Sequence, residues 1–319
     1  MAVEAVLKEN LTERSSQNYN QPLHERFILW KDESGKSLSR IAVMVNRSTA
    51  AISQYCNKKY DGDIVELEKD IASLLQREEN LEFVTGPRDF CSTTIAIQMW
   101  EVHQFCDLRV KMGVIPKASG LGGTETAKEY VRRNRATVLV TADVSTRRPG
   151  AILNRIVAHV GGVPQRQSIS SMLHSLISKL RGSRRLIIVD DAHFLSWEAF
   201  EVCRKLYDCA AVGVVYVGQP RLYDVMRGGS GYLYDQIYSR ISIRRDNFRV
   251  LKKDVRMIAD SIYPGLDKAC TDYLFRKAQG KGHFRVMANL LDVAIEISKE
   301  NQTPLDVGLL READKFLMI

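Results

Sequence analysis

Two hydrophobic periods divide this chain. From Leu23 to about Glu79, apolar residues recur every three or four positions in short stretches, the spacing of amphipathic helices, with no strand-like run between them. From residue 112 the pattern changes. Short apolar runs, MGVIP (112–116), ATVLVTADV (136–144), RLIIVDD (185–191), AVGVVYVG (211–218) and ISIRRDNFRV (241–250), alternate with helix-length amphipathic stretches. A strand that is apolar throughout is covered on both faces, so this alternation predicts an α/β fold: a parallel sheet with helices on both sides. Beyond Leu251 helical spacing returns in KKDVRMIADSIY, LDKACTDYLFRKAQ, HFRVMANLLDVAIEISKE and LDVGLLREADKFL.

These changes predict five segments. Residues 1–22 are polar and read as a flexible N-terminus. Residues 23–80 form a small helical domain, and 81–90 a linker, broken in FVTGPRDF by Gly86 and Pro87. Residues 91–250 form the α/β core, opened by the helical stretch TTIAIQMWEVHQFCDLRV, and 251–319 a helical lid.

Within the first domain, SLSRIAVMVNRSTAAISQYCNKKY (37–60) has the layout of a helix-turn-helix. Ala42 sits where two helices cross closely, and Asn46 stands where the turn needs positive φ. Ser48 can cap the second helix, and Ile41, Val45 and Ile52 make a shared core. The second helix then presents Arg47, Thr49, Ser53, Gln54 and Asn57 to base edges or phosphates, followed by Lys58 and Lys59 as phosphate contacts. The alternative is a helical bundle that binds protein or nothing.

The core carries VIPKASGLGGTETAKEY (114–130), an apolar run leading into glycines, a threonine and a helix. A phosphate loop uses backbone N–H groups at a helix start as an anion cradle, a lysine to reach the β- and γ-phosphates, and a hydroxyl on Mg²⁺. Aligned on GxxxxGK[ST], Lys117 stands at the first glycine, Gly122 at the second, Gly123 at the lysine and Thr124 at the hydroxyl. Gly120, Gly122 and Gly123 supply the cradle, with Glu125 next on the helix, and Thr124 faces the metal. The tripeptide at Gly35–Ser37 is a decoy, because no apolar strand precedes it. LIIVDDAHFL (186–195) ends an apolar strand in acid: Asp190 is placed to hold Mg²⁺ through water, and Asp191 where a catalytic base would sit.

Net charge is +8, which favours an anionic partner. The six cysteines form no CxxC pair and no zinc spacing, and read as reduced thiols. The N-terminal sequence lacks the apolar core of a signal peptide, and CAAVGVVYVG is too short to cross a bilayer. The reading is a soluble, cytoplasmic protein with no membrane role.

The ordered series ISQYCNKKYDGD, TETAKEY, IIVDDAHFL, VVYVGQPRLYD, YSRI and GHFRVMANLL resembles the AAA+ transposition activators, most closely those of the Mu phage B type and more distantly the TnsC, TniB and IstB proteins. The resemblance runs from about Ser37 to the C-terminus. It implies a P-loop AAA+ sheet with ATP and Mg²⁺ as cofactors. It implies that Gln219 is the sensor that orients the attacking water, Arg240 an arginine finger reaching a neighbouring subunit, and Arg285 a lid sensor. It implies a helical homo-oligomer on double-stranded DNA, gripped non-specifically by loop residues such as Arg147 and Arg148, and a DDE-type transposase as partner. No carboxylate cluster resembles a nuclease site, so strand cutting falls to that partner.

Three positions depart from the pattern: Gly123 replaces the loop lysine, Lys117 the first glycine, and Asp191 the usual glutamate. Losing one charged hydrogen bond costs on the order of 1.5–3 kcal/mol, roughly 10- to 150-fold in affinity. Hydrolysis suffers more, because lysine and base act on charge that develops in the transition state. The expectation is a degenerate site that binds ATP and hydrolyses it poorly. Two other readings stay open: a pseudo-ATPase adaptor that coats DNA without nucleotide, and a helix-turn-helix transcription regulator with a nucleotide-sensing core.

Overall fold

The computed structural model describes residues 19–85, 89–163, 168–227 and 231–317. The chain divides into two compact units, Met1–Arg88 and Asp89–Ile319. Most of the expected flexible N-terminus, and Gly86 and Pro87 of the expected linker, lie outside the described residues.

The first unit contains α1 (Gln21–Ser34), α2 (Leu38–Met44), α3 (Thr49–Cys56) and α4 (Ile64–Thr85). Asn20, Ser37 and Ser48 cap the first three, each side chain accepting a backbone N–H of the opening turn. Asn46 takes φ of 54° between α2 and α3, as the turn requires. Ile41, Ala42, Val45 and Ile52 are buried together with Phe27, Tyr55, Leu67 and Ile71. Two boundaries move. Residues 19–22 are not loose: Tyr19 is buried against Tyr55, and Asn20 is already the α1 cap. At the other end, α4 runs through the first half of the expected linker to Thr85, because no breaker precedes Gly86.

The second unit opens with α5 (Thr94–Arg109). Then come β1 (Met112–Pro116), α6 (Gly123–Arg133), β2 (Val138–Thr141), α7 (Pro149–His159), α8 (Ile169–Leu180), β3 (Leu186–Asp190), α9 (Trp197–Ala210), β4 (Gly213–Gly218), α10 (Leu222–Arg227), α11 (Gly231–Tyr238) and β5 (Ile241–Arg244). Four helices close it: α12 (Lys252–Ile262), α13 (Lys268–Ala278), α14 (His283–Glu300) and α15 (Val307–Phe316). The strands pair in the order β2-β3-β4-β1-β5, all parallel. β1, β3 and β4 are buried at every position, whereas the edge strand β5 alternates half-buried and exposed. That difference is the continuous versus alternating apolar pattern of the sequence.

Alternate residues feed two cores. Ile187, Val189, Val214 and Tyr216 meet α7, α8 and α9 on one face. Leu186, Ile188, Val215 and Val217 meet α5 and the closing helices on the other. The lid helices therefore share a core with the sheet. His103 of α5 is fully buried against Tyr130, with neither ring nitrogen bonded, and burial lowers its pKa to about 3.

Candidate functional site

Parallel strands bring all their C-terminal ends to one edge of the sheet, where α/β proteins bind ligands. β1 delivers residues 117–122 there. The Lys117 N–H donates to the Gly218 carbonyl at 2.8 Å, carrying the β1–β4 ladder past its last paired residue. Gly120 and Gly122 hold φ of +86° and +83°, conformations that an L side chain strains. The chain thus doubles back and enters α6 with no side-chain cap over its first N–H groups. Uncapped N–H groups at a helix start can hold an anion, which is the role the sequence reading expects of them.

Beside it, Thr124 Oγ1 donates to Asp190 Oδ2 at 2.6 Å. Asp190 is fully buried, and its other carboxylate oxygen has no partner among the described residues. Burial raises its pKa, opposed first by the Thr124 hydrogen bond, while the nearby Asp191 adds to the rise. A hydroxyl and an orphaned carboxylate oxygen beside an open cradle fit a hydrated Mg²⁺ that takes its remaining ligands from phosphate and water. No group of three or more His, Cys, Asp or Glu able to hold a metal unaided occurs among the described residues, so such an ion depends on the phosphates. Bound there, it would neutralise negative charge on the phosphates.

Lys117 is 8% exposed. A Cβ built on Gly123 would lie 2.7 Å from Lys117 Cδ, 3.0 Å from its Nζ and closer still to its Cε. The lysine stem therefore runs directly across Gly123. Burial lowers the Lys117 pKa, countered by Asp190 and then Asp191, with no hydrogen bond to the ammonium contributing.

The lid reaches the same loop. Gly282 caps α14, and a Cβ on Gly120 would stand 2.6 Å from the Gly282 carbonyl carbon and nearer its oxygen. Arg285, on the first turn of α14, extends Nη1 to Ser119 Oγ at 3.5 Å. The predicted lid sensor is thus beside the cradle. Gly282 was not singled out from the sequence; the glycine-bounded GKG before HFR is the feature that marks it.

Asp191 follows β3 at φ of 51°, a left-handed conformation that Asp tolerates better than most residues. Its side chain is 40% exposed, and its Oδ1 lies 4.0 Å from His193 Nδ1. His193, buried, accepts the Gln219 N–H at that same Nδ1 at 3.3 Å. That bond leaves the ring proton on Nε2, and burial lowers the His193 pKa. His193 thus holds the Gln219 backbone between the ends of β3 and β4, with Asp191 Oδ1 4.0 Å from the same ring nitrogen. Sequence reading missed it, although it stands two residues past the acidic pair.

Two expectations are corrected. Glu125 does not enter the cradle: its carboxylate pairs with Lys128 at 2.8 Å on the exposed face of α6. Arg47 does not point outward from the second helix of the expected helix-turn-helix; it lies in the turn before it. It donates to Asp70 at 2.8 and 2.6 Å and lies 3.2 Å from Glu66, bracing the α2–α3 turn against α4. Arg240 is held at 2.8 Å by Asp208 and donates to the Gln236 carbonyl at 2.6 Å.

Of the other expected DNA contacts, Thr49, Gln54, Asn57 and Lys59 are exposed, and Ser53 and Lys58 half-buried. Lys58 donates to Gln21 and Asn57 to the Ser53 carbonyl, so both also serve the fold. Arg147 and Arg148 are exposed between a short 3₁₀ turn (Val144–Thr146), capped by Asp143, and α7. The Arg147 carbonyl accepts Ser196 N–H at 2.9 Å, which pins their backbone. No helix among the described residues is long and apolar enough to cross a membrane.

An AAA domain pattern matches residues 110–226, from just before β1 into α10. Over 284 residues, 88% of this chain and 90% of its relative, the sequence is 28% identical to the ATP-dependent target DNA activator B of Escherichia phage Mu. Over 67% of this chain and 76% of its relative it is 29% identical to the Mu-like prophage FluMu DNA transposition protein B of Haemophilus influenzae. A solved structure of the Drosophila ORC bound to DNA superposes with a TM-score of 0.55 at 12% identity, over 74% of this chain. This chain spans 64% of that one, and the likeness is one of fold.

Proposed function

We propose that this Mu B-like AAA+ protein binds duplex DNA under the control of ATP, coats it as a helical homo-oligomer, and presents it as target to a DDE-type transposase. The observation that carries the reading is the Thr124–Asp190 pair beside an uncapped, glycine-turned helix start. Lys117 and Arg285 converge on that loop. The similarity to named target DNA activators, along most of both chains, connects such a site to transposition.

In this account Arg147 and Arg148 grip phosphates, and the exposed face of α3 adds contacts through Thr49, Gln54, Asn57 and Lys59. Asp191 and Gln219, on either side of His193, orient water for a slow hydrolysis, because Asp is one methylene shorter than the usual Glu. Arg240 leaves Asp208 to reach a neighbour's nucleotide when subunits assemble. The test is strand transfer by the transposase encoded on the same element into a separate target circle. Insertion into that circle should require this protein and Mg-ATP together. Equal insertion without the protein would overturn the reading.

A further inference from the structure

We propose that the phosphate-binding lysine of this site has changed places in the chain: Lys117 supplies the ammonium to the β- and γ-phosphates of a nucleoside triphosphate, and position 123 is glycine so that the Lys117 stem can cross it. The inference rests on the nucleotide reading above and concerns how this loop makes contact with phosphate.

Four observations converge. The first is steric. Cδ, Cε and Nζ of Lys117 all lie within 3.0 Å of where a Cβ on Gly123 would stand, so the volume a side chain at 123 would enter is already filled by Lys117. The loop folds back on itself, and the first-glycine and lysine positions of the motif therefore reach the same space. The second is burial: Lys117 is 8% exposed, yet no hydrogen bond to its ammonium contributes to its ionisation. A lysine that only decorated a surface would keep its stem in water rather than lay it under the loop.

The third is electrostatic. Asp190 and Asp191 favour the charged lysine against the larger effect of burial and the smaller one of Arg285, both of which lower its pKa. The fourth is anchoring: the Lys117 backbone is tied to Gly218 at 2.8 Å, which aims the stem. The two departures from the phosphate-loop pattern are then one exchange. A lysine was lost at 123 and gained at 117, and each change makes the other workable.

The exchange is testable as a double-mutant cycle, read by binding of a fluorescent ATP analogue to the full chain, with the melting temperature of the nucleotide-free protein as the folding control. Lys117→Ala should weaken binding roughly 10- to 150-fold, the loss of one charge-assisted hydrogen bond. Gly123→Ala should weaken it too, because the new methyl displaces Lys117. In the Lys117→Ala background the same Gly123→Ala change should cost nothing further. The swapped protein, Lys117→Gly with Gly123→Lys, should recover wild-type binding. AMP, which lacks the β- and γ-phosphates, should bind all five proteins alike.

If Lys117→Ala melts as wild type does and binds the analogue equally well, the relocation is wrong while the nucleotide reading stands. If the folded wild-type protein binds no nucleotide, both fall. If the swapped protein folds but stays as weak as Lys117→Ala, the two positions are not interchangeable and the proposal is overturned.

Discussion

The contact between the phosphate loop and the lid makes a sharp quantitative prediction, because two neighbouring glycines serve as each other's control. Gly120 and Gly122 have nearly the same backbone, φ of +86° and +83°. A methyl at Gly122 would meet nothing within 4 Å, whereas one at Gly120 would press on the Gly282 carbonyl group from 2.6 Å or less. Gly122→Ala should therefore cost only left-handed strain, about 1–2 kcal/mol. Gly120→Ala should cost that strain plus an overpacking penalty of about 1–3 kcal/mol, since the lid turn must retreat.

In a domain of this size about 1 kcal/mol moves the melting temperature by roughly 2–4 °C. Gly120→Ala should accordingly melt roughly 2–12 °C below Gly122→Ala by calorimetry. It should also release Arg285 from Ser119, exposing the first turn of α14 to faster amide hydrogen exchange. Equal melting of the two variants, with α14 exchange unchanged, would refute the claim that loop and lid touch.

Three further outcomes follow from named contacts. Thr124→Val removes the 2.6 Å bond and leaves both Asp190 oxygens buried and unpaired. It should destabilise the nucleotide-free protein by about 1–3 kcal/mol and abolish the Mg²⁺ dependence of ATP binding in titration calorimetry; retained dependence would contradict the metal assignment. Arg147→Ala and Arg148→Ala should each reduce the slope of log affinity for DNA against log salt by about 1, equally for unrelated sequences, and a change confined to one sequence would argue against phosphate contact. His103 supplies the pH dependence. Its pKa falls from 6.5 unfolded to about 3 folded, so its ionisation costs the fold nothing above pH 6.5 and destabilises it progressively as pH drops towards 3, by about 1.4 kcal/mol per pH unit. The melting advantage of His103→Leu should widen from pH 7 to pH 4, and parallel melting curves would exclude His103 as the cause.

Residues whose role is set by backbone period or local geometry were legible in the sequence. The apolar runs of β1, β3 and β4 sit where they were placed, because strands buried on both faces leave an unbroken hydrophobic record. The runs around β2 and β5 overshot, since edge strands alternate and blend into their loops. Asn46 at its turn, Ser48 at its cap and Thr124 near Asp190 were legible for the same local reasons.

Contacts made by folding back were not legible. That Lys117 lies over Gly123 depends on the path of the loop, and that Gly282 meets Gly120 depends on a helix 160 residues further along the chain. The direction of a charged side chain was equally hidden. Arg47 and Glu125 satisfy a helical pattern, but nearby opposite charges on α4 and α6 capture them.

The central claim is that this altered loop still couples nucleotide to DNA. Its most direct test is fluorescence anisotropy of a random-sequence duplex titrated with the protein, with and without millimolar Mg-ATP, across a salt series. The account predicts that Mg-ATP tightens binding many-fold at every salt concentration and that Lys117→Ala removes the gain. Strong binding indifferent to Mg-ATP would contradict it and leave a DNA-coating protein whose phosphate loop does no work.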